Sequence, residues 1–273
     1  IVVPGECYAE IFSPIVKELK RVAERNGWRV LTESIKSDKP TVRAREARRI
    51  AYLYAKERVA GVFFQPMEFV KDYTSASREV LSHFDKYEIP VLLLDYDIVP
   101  SPERSTYDLV GIDNIAAGLS IGRFLIRKGA KKVCFLQRPG AAPTVTDRLR
   151  GVALAALEAG LPWSKKHNVL RCEPENRRAV SRFVSAERPD AIVSGNDVAA
   201  AKLKETLTTI KKGGNIHLAG FDDVAVAAQI GLTTCRQPLG DLAHVAFQTL
   251  LQRIKSPRLP PRTILLPAPL VAR

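Results

Sequence analysis

Polar residues gather just after the apolar, strand-like runs of this sequence. The set comprises Asp95, Asp113 with Asn114, Asp147 with Arg148 (beyond a Pro/Gly loop), Asn196 with Asp197, and Asp222 with Asp223. A carboxylate accepts hydrogen bonds, an arginine donates them, and an asparagine does both. Such groups can act as a catalytic acid and base, cap helices, or bind a polar ligand.

Catalytic use of these carboxylates has no support in the sequence motifs. The sequence has no G-x-G-x-x-G after a strand, no G-x-x-x-x-G-K-[ST], no H-E-x-x-H and no G-x-S-x-G. Its four histidines are far apart, and only His83 adjoins a possible nucleophile, Ser82. Successive residues on a helix do not face each other. We therefore expect that the protein is not an enzyme and that it has no cofactor and no metal site.

Helix capping is the competing structural explanation for the polar residues. Aspartate and asparagine are favoured N-cap residues, so capping accounts well for any one of these sites taken singly. It accounts less well for five such sites, most of which have a second polar residue beside the cap. If Asp223 or Asp197 caps its helix, Asp222 and Asn196 are left to contact a ligand.

Strands and helices alternate along the whole chain and must position these groups. Strand-like runs are predicted at 1–3, 28–33, 59–64, 90–95, 108–112, 132–137, 191–195 and 217–221. Helices are predicted at 10–26, 41–58, 71–86, 114–129, 147–159, 176–187, 197–211 and 239–255, with a loop at 138–147. Continuous apolar strands between helices are typical of parallel sheets covered on both faces. The predicted fold is α/β, in which ligands bind beyond the carboxyl ends of the strands.

The overall composition limits the class of protein. The chain has 273 residues, of which 46% are hydrophobic, and this is enough for two domains. It has no run of about 18 apolar residues, so we expect no membrane segment, and its first residues do not form a signal peptide. The use of cysteine favours a reducing compartment, and we expect a cytoplasmic location. The net charge of +13 is spread over helix faces such as residues 41–58, which favours solvated surfaces over a DNA-binding face. The four scattered cysteines are expected to be buried free thiols.

Four stretches resemble, in order and spacing, the effector-binding domain of the lactose-repressor/galactose-repressor family. They are TDRLRG (146–151), PDAIVSGNDVAAAK (189–202), HLAGFDD (217–223) and LTTCRQPLGDLAHVAFQTLLQRI (232–254), and the chain closes with LLPAPLVAR. The first half agrees more loosely, through IPVLLLD and VGIDNIAAG. The segment GVFFQPMEFV (61–70) is similar to a hybrid group of relatives, in which a winged-helix DNA-binding domain precedes the same domain.

The resemblance implies a periplasmic-binding-protein-like fold of type I. Two Rossmann-like subdomains with parallel sheets are joined by three crossovers, and a ligand binds in the cleft between them. The expected N-terminal subdomain is 1–130 plus 238–262, and the expected C-terminal subdomain is 131–237 plus 263–273. The family's DNA-binding domain precedes this region and is expected to lie outside this chain.

The resemblance also implies a set of ligand-binding residues. Asp222 would accept two sugar hydroxyls, while Asp223 would cap the following helix. Arg148 would donate to ring or hydroxyl oxygens, and Asn196 would donate and accept at once. A cleft with more acids than arginines favours a neutral sugar or polyol over a sugar phosphate. The matching positions in this half of the site are Asp113, Arg148, Asn196, Asp222 and Gln237.

In the N-terminal half, two aromatic residues are candidates for an apolar contact with sugar C–H groups. They are Tyr8 and Phe64. The first loop, GECYAEIF (5–12), departs from the more apolar loop usual in the family, and Leu239 stands near a position where some relatives have an aromatic residue.

The function implied is that of a domain that senses a small sugar for a bacterial transcription regulator and changes DNA affinity by hinge closure. It would form a homodimer, with the apolar helix face of residues 73–84 as a candidate contact, and would act on DNA through a domain absent from this chain. An extracytoplasmic sugar-binding protein of a transporter shares the fold and is the alternative. The free cysteines and the ending of the chain favour the regulator. An enzyme on a doubly wound fold would need a phosphate-binding glycine loop or a base–nucleophile pair.

Overall fold

The computed structural model describes residues 2–3, 9–34, 39–67, 72–211 and 214–273, and they divide into two compact units. The first unit consists of Ile1–Ile112 with Pro238–Leu266, and the second of Asp113–Gln237 with Pro267–Arg273. The chain therefore passes from one unit to the other after Ile112, after Gln237 and after Leu266.

A parallel sheet forms the centre of the first unit. Its strands are β1 (Val2–Val3), β2 (Glu33–Ser34), β3 (Val62–Phe64), β4 (Val91–Leu94), β5 (Asp108–Ile112) and β11 (Thr263–Leu266), in the order β11-β5-β4-β3-β1-β2. Every residue of β3, β4 and β5 is buried, which agrees with continuous apolar strands covered on both faces.

Four helices of the first unit are α1 (Ala9–Arg25), α2 (Pro40–Lys56), α3 (Tyr73–Asp85) and α10 (Leu239–Lys255). The α3 helix begins after Asp72, whose side chain accepts a hydrogen bond from the Ser75 backbone. Its apolar residues Val80, Leu81 and Phe84 pack into the core of the unit. This face is already buried within the unit, which does not favour it as the predicted dimer contact.

A buried acid joins β5 to α10 and to the start of β11. The Asp108 carboxylate accepts hydrogen bonds from Arg253 Nε at 2.9 Å and from the Arg262 backbone N–H at 2.8 Å, and its side chain is 0% exposed. Burial opposes ionisation of Asp108, but the hydrogen bonds from both arginines outweigh it and hold its pKa below the usual range.

The second unit contains a smaller parallel sheet. Its strands β6 (Val133–Gln137), β7 (Val169–Arg171), β8 (Ala191–Ser194) and β9 (His217–Ala219) lie in the order β7-β6-β8-β9. A separate antiparallel pair is formed by β10 (Thr234–Cys235) and β12 (Leu270–Val271).

The described helices of the second unit are α4 (Asn114–Arg127), α5 (Pro143–Glu158), α6 (Lys165–Asn168), α7 (Arg177–Glu187), α8 (Asp197–Thr209) and α9 (Ala225–Gln229). The α5 helix begins inside the stretch that was predicted as a loop. Pro143 is its first residue, where a helix needs no backbone N–H.

Two glycines allow α4 to pack directly on α5. A Cβ atom at Gly151 would lie 2.1 Å from the Ile115 carbonyl oxygen, and one at Gly118 would lie 2.1 Å from the Arg148 carbonyl oxygen. This close approach attaches α4 to the second unit, so the division falls before the helix, at Ile112–Asp113, rather than near residue 130. The apolar pattern of α4 does not reveal which unit buries it.

Three cysteines, Cys134, Cys172 and Cys235, are free and buried, which confirms the prediction for them. Burial raises the pKa of the Cys134 and Cys235 thiols to about 12, so both stay protonated and unreactive at neutral pH. Cys7 lies outside the described residues. Across those described, no helix combines the length and the apolar character that crossing a membrane requires.

Candidate ligand-binding site

The guanidinium group of Arg148, on α5, is the centre of a buried polar cluster in the second unit. Its Nε donates to Asn114 Oδ1 at 2.8 Å, and its Nη1 donates to the Gly195 carbonyl at 2.7 Å. Its Cζ atom lies 4.8 Å from the centre of the Phe221 ring. Hydrogen bonds in the plane and an aromatic ring over the face fix the orientation of the guanidinium.

Asp222 and Gln237 complete the cluster. Gln237 Nε2 donates to Asp222 Oδ1 at 2.7 Å, and Arg148 Nη1 lies 3.3 Å from the same oxygen. Among the described residues, no protein group bonds to Asp222 Oδ2, Gln237 Oε1 or Arg148 Nη2. The cluster therefore has two acceptors and one donor for a ligand.

The backbone that carries Asp222 is in an unusual conformation. Asp222 has a φ of 108° and Asp223 a φ of 56°, both in the left-handed region that non-glycine residues avoid. The Asp222 N–H donates to the Cys235 carbonyl at 2.8 Å, which anchors this turn to β10. Such conformations persist only where surrounding contacts hold them, and they concentrate at functional sites.

Asp223 does not cap α9, so that prediction is wrong. Its carboxylate accepts hydrogen bonds from Arg236 Nε and Arg273 Nη2, both at 2.6 Å, and the helix begins after Val224 without a side-chain cap. Burial opposes ionisation of Asp223, but the bonds from Arg273 and Arg236 outweigh it and hold its pKa below the usual range. Asp223 thus fixes the turn, while Asp222 belongs to the cluster around Arg148.

Two other predicted site residues cap helices. Asp113 Oδ1 accepts from the Ala116 N–H at the start of α4, and Asn196 Oδ1 accepts from the Ala199 N–H at the start of α8, each at 2.8 Å. Asn196 directly follows Gly195, whose carbonyl binds Arg148. Capping uses only one polar atom of each side chain, so it does not remove these residues from the site.

Asp197 is fully buried beside the cluster and does not act as the helix cap. Its Oδ1 accepts from the Thr234 hydroxyl at 2.8 Å, and its Oδ2 accepts from the Val224 N–H at 3.1 Å. Burial is the main reason why the pKa of Asp197 is raised to about 7. The hydrogen bond from Thr234 lowers this pKa in part, and the negative charge of Asp222 raises it further.

Two site residues were predicted in the first unit, and only one of them lies among the described residues. Phe64 is 0% exposed in the core of that unit, a position that does not agree with the predicted contact to a sugar. Tyr8 lies outside the described residues.

The sequence prediction missed two members of the cluster, Asn114 and Phe221. Asn114 is not among the residues predicted to bind a ligand, and Phe221 is the last residue of the strand predicted at 217–221. Only the fold shows that both touch Arg148. Over the described part of the chain, no group of three or more His, Cys, Asp or Glu side chains could hold a metal ion.

Comparison with known proteins identifies related chains. A family model described as a periplasmic binding protein-like domain matches residues 123–273. The chain is 27% identical over 259 residues to the HTH-type transcriptional repressor PurR of Klebsiella pneumoniae (strain 342), an alignment that covers 92% of this chain and 71% of the repressor.

Two solved structures share the fold. The transcriptional regulator CelR in complex with cellobiose has a TM-score of 0.80 at 19% identity, covering 98% of this chain and 81% of that chain. A periplasmic binding protein/LacI transcriptional regulator of Alkaliphilus metalliredigens QYMF, complexed with D-xylulofuranose, has a TM-score of 0.77 at 17% identity. The match covers 99% of this chain and 96% of that chain. The predicted fold is confirmed.

Proposed function

The chain belongs to the periplasmic-binding-protein-like domain family, and from this we propose that it is the effector-binding domain of a transcriptional regulator, with a neutral sugar or related polyol as its effector. The relatives described above are repressors and regulators, which favours this function over sugar delivery to a transporter and over catalysis. The observation that carries the proposal is the buried cluster of Arg148, Asp222 and Gln237.

The hydrogen-bonding groups of the cluster suit vicinal hydroxyls. Each hydroxyl both donates and accepts, so one can donate to Asp222 Oδ2 while it accepts from Arg148 Nη2. Bonds to charged partners are roughly twice as strong as neutral ones. A phosphate in the same place would meet the Asp222 carboxylate, and this like-charge contact disfavours sugar phosphates.

We expect a thermal-shift screen to identify a neutral sugar as a ligand. A ligand that binds only the folded protein stabilises it by about 2.7 kcal/mol at a hundredfold excess over Kd, which corresponds to a rise in Tm of about 5–10 °C. The screen uses pentoses, hexoses, uronic acids, disaccharides and the matching sugar phosphates.

Gln237→Leu should remove most of that shift, because leucine has a similar shape but no hydrogen-bonding groups. The control is Gln229→Leu at the exposed end of α9, which should leave the shift unchanged. A shift produced by phosphates alone, or equal shifts in the two variants, would contradict the proposal.

We also propose that the domain forms a two-fold dimer and acts on DNA through a further domain. Two DNA-binding domains related by a two-fold axis match a palindromic operator, and two-fold dimers are the commonest oligomers. The HTH-type repressor described above is longer than the part that this chain matches. Cytoplasmic localisation follows from this role and stays a prediction.

Light scattering tests the dimer directly. We expect a mass of about 60 kDa, twice the 30.2 kDa of the chain, at tens of micromolar protein. A mass of one chain at that concentration would be incompatible with a dimer of this domain.

A further inference from the structure

The turn that carries Asp222 is held by hydrogen bonds that lead to Asp197. The Val224 N–H donates directly to Asp197 Oδ2 at 3.1 Å. The Asp223 N–H donates to the Thr234 hydroxyl at 3.3 Å, and that hydroxyl donates to Asp197 Oδ1 at 2.8 Å. The two backbone N–H groups that follow Asp222 therefore both depend on one buried carboxylate.

The start of the same turn also packs against Asp197. The Asp197 N–H donates to the Phe221 carbonyl at 2.9 Å. A Cβ atom at Gly220 would lie 2.3 Å from Asp197 Oδ1, so the backbone there approaches the carboxylate as closely as only glycine allows. Asp197 thus contacts the turn on both sides of Asp222.

We propose that Asp197 is a positioning residue that, in its ionised form, holds the left-handed turn and so places the Asp222 carboxylate beside Arg148 and Gln237. The proposal rests on the proposed function, in which Asp222 binds the effector. It assigns Asp197 no contact with the ligand.

Ionisation matters because both oxygens of Asp197 accept hydrogen bonds. A proton on either oxygen would compete with the Thr234 hydroxyl or the Val224 N–H, and the backbone N–H cannot reorient to become an acceptor. A buried donor without a partner is costly, so protonation should loosen the turn.

The charged and titratable groups around Asp197 are Asp222 and Asp223 in the turn, Cys235 on β10 and Arg148 on α5. Asp223 is held ionised by its two arginines, and burial keeps the Cys235 thiol protonated. With a pKa raised to about 7, Asp197 changes charge near neutral pH. Effector affinity should therefore fall as the pH falls through this range.

The test compares Asp197→Asn with Asp190→Asn. The first variant keeps the shape of the side chain and imitates the uncharged state at every pH. The control replaces Asp190, which precedes β8, whereas Asp197 follows it. The Asp190 carboxylate accepts hydrogen bonds from the Lys131 and Lys132 backbone N–H groups. If Asp197→Asn does not fold, Thr234→Val is used instead of it. This variant removes the hydroxyl that links the Asp223 N–H to Asp197.

Amide hydrogen exchange gives a readout without any ligand. At pH 8 the Asp223 and Val224 amides should exchange at least about tenfold faster in Asp197→Asn than in the wild type, and Thr234→Val should accelerate Asp223. Asp190→Asn should match the wild type at these amides. Unchanged exchange in Asp197→Asn and in Thr234→Val would overturn the proposal.

Affinity gives the second readout, with D-ribose, D-xylulose and cellobiose as probes. For a sugar that binds, the wild-type Kd should rise about tenfold from pH 8 to pH 6, because the ionised fraction of a group with a pKa near 7 falls by that factor. Asp197→Asn should bind weakly at both pH values, and Asp190→Asn should follow the wild type. An Asp197→Asn variant that binds the sugar with wild-type affinity and wild-type pH dependence would contradict the proposal. If none of the sugars binds the wild type, the proposed function is in question, while the exchange experiment still decides the role of Asp197.

Discussion

Arg148→Ala should destabilise the second unit by about 3–5 kcal/mol, the usual cost of removing one partner from a buried ion pair. The change leaves Asp222 without its cation, and it leaves Asn114 Oδ1 and the Gly195 carbonyl without their donor. It also removes the donor that we assign to the effector, so sugar binding should weaken by at least about tenfold even where the domain is folded.

Urea unfolding and titration calorimetry measure these two effects separately. Each unit contains one tryptophan, Trp28 in the first and Trp163 in the second, so fluorescence in a Trp28→Phe background follows the second unit alone. The control is Arg150→Ala on the same helix, which loses only an exposed pair with Asp147 and should change stability by less than about 1 kcal/mol. Equal stability of the two variants would show that the Arg148 contacts do not support the unit.

Asp108→Ala should destabilise the first unit by a similar amount, about 3–5 kcal/mol, because it leaves two arginines around an empty position. Asp108 has a lowered pKa in the folded protein, so its stabilising contribution is present above the pKa of the unfolded chain. That contribution is lost as the pH falls through the lower, folded value. The difference in stability between the wild type and Asp108→Ala should therefore shrink in acid.

Trp28 fluorescence in a Trp163→Phe background reports this change. The exposed acid Asp241, in the first turn of α10, supplies the control, and Asp241→Ala should cost less than about 1 kcal/mol. A difference between wild type and Asp108→Ala that stays constant from neutral to acid pH would contradict the role given to the arginines.

The sequence predicted the repeating elements well because they depend on local patterns. The strand predicted at 108–112 is β5 with the same bounds, and the helix predicted at 239–255 is α10 with the same bounds. The strand β7 (Val169–Arg171) was missed because only its first two residues are apolar and buried, so the sequence shows no apolar run there. Local periodicity also carries no information on which unit buries α4.

For the site, the sequence identified residue types at strand ends but not which atoms meet. Arg148, Asp222 and Gln237 do come together, whereas Asn196 rather than Asp197 caps α8, and α9 has no side-chain cap at all. An aspartate and an asparagine are both good N-caps, so the choice between Asn196 and Asp197 depends on which side chain can reach Thr234 and Val224. That pairing joins positions far apart in the chain and follows only from the fold.

The threefold passage of the chain between the units has a consequence for synthesis on the ribosome. The first unit needs β11 (Thr263–Leu266) at the edge of its sheet, and the second needs β12 (Leu270–Val271) to pair with β10. Neither unit can therefore reach its final form until these strands have left the exit tunnel. Until then, β5 in the first unit lacks its partner β11 and β10 in the second lacks its partner β12, and unpaired strand edges make an incompletely folded chain prone to aggregation.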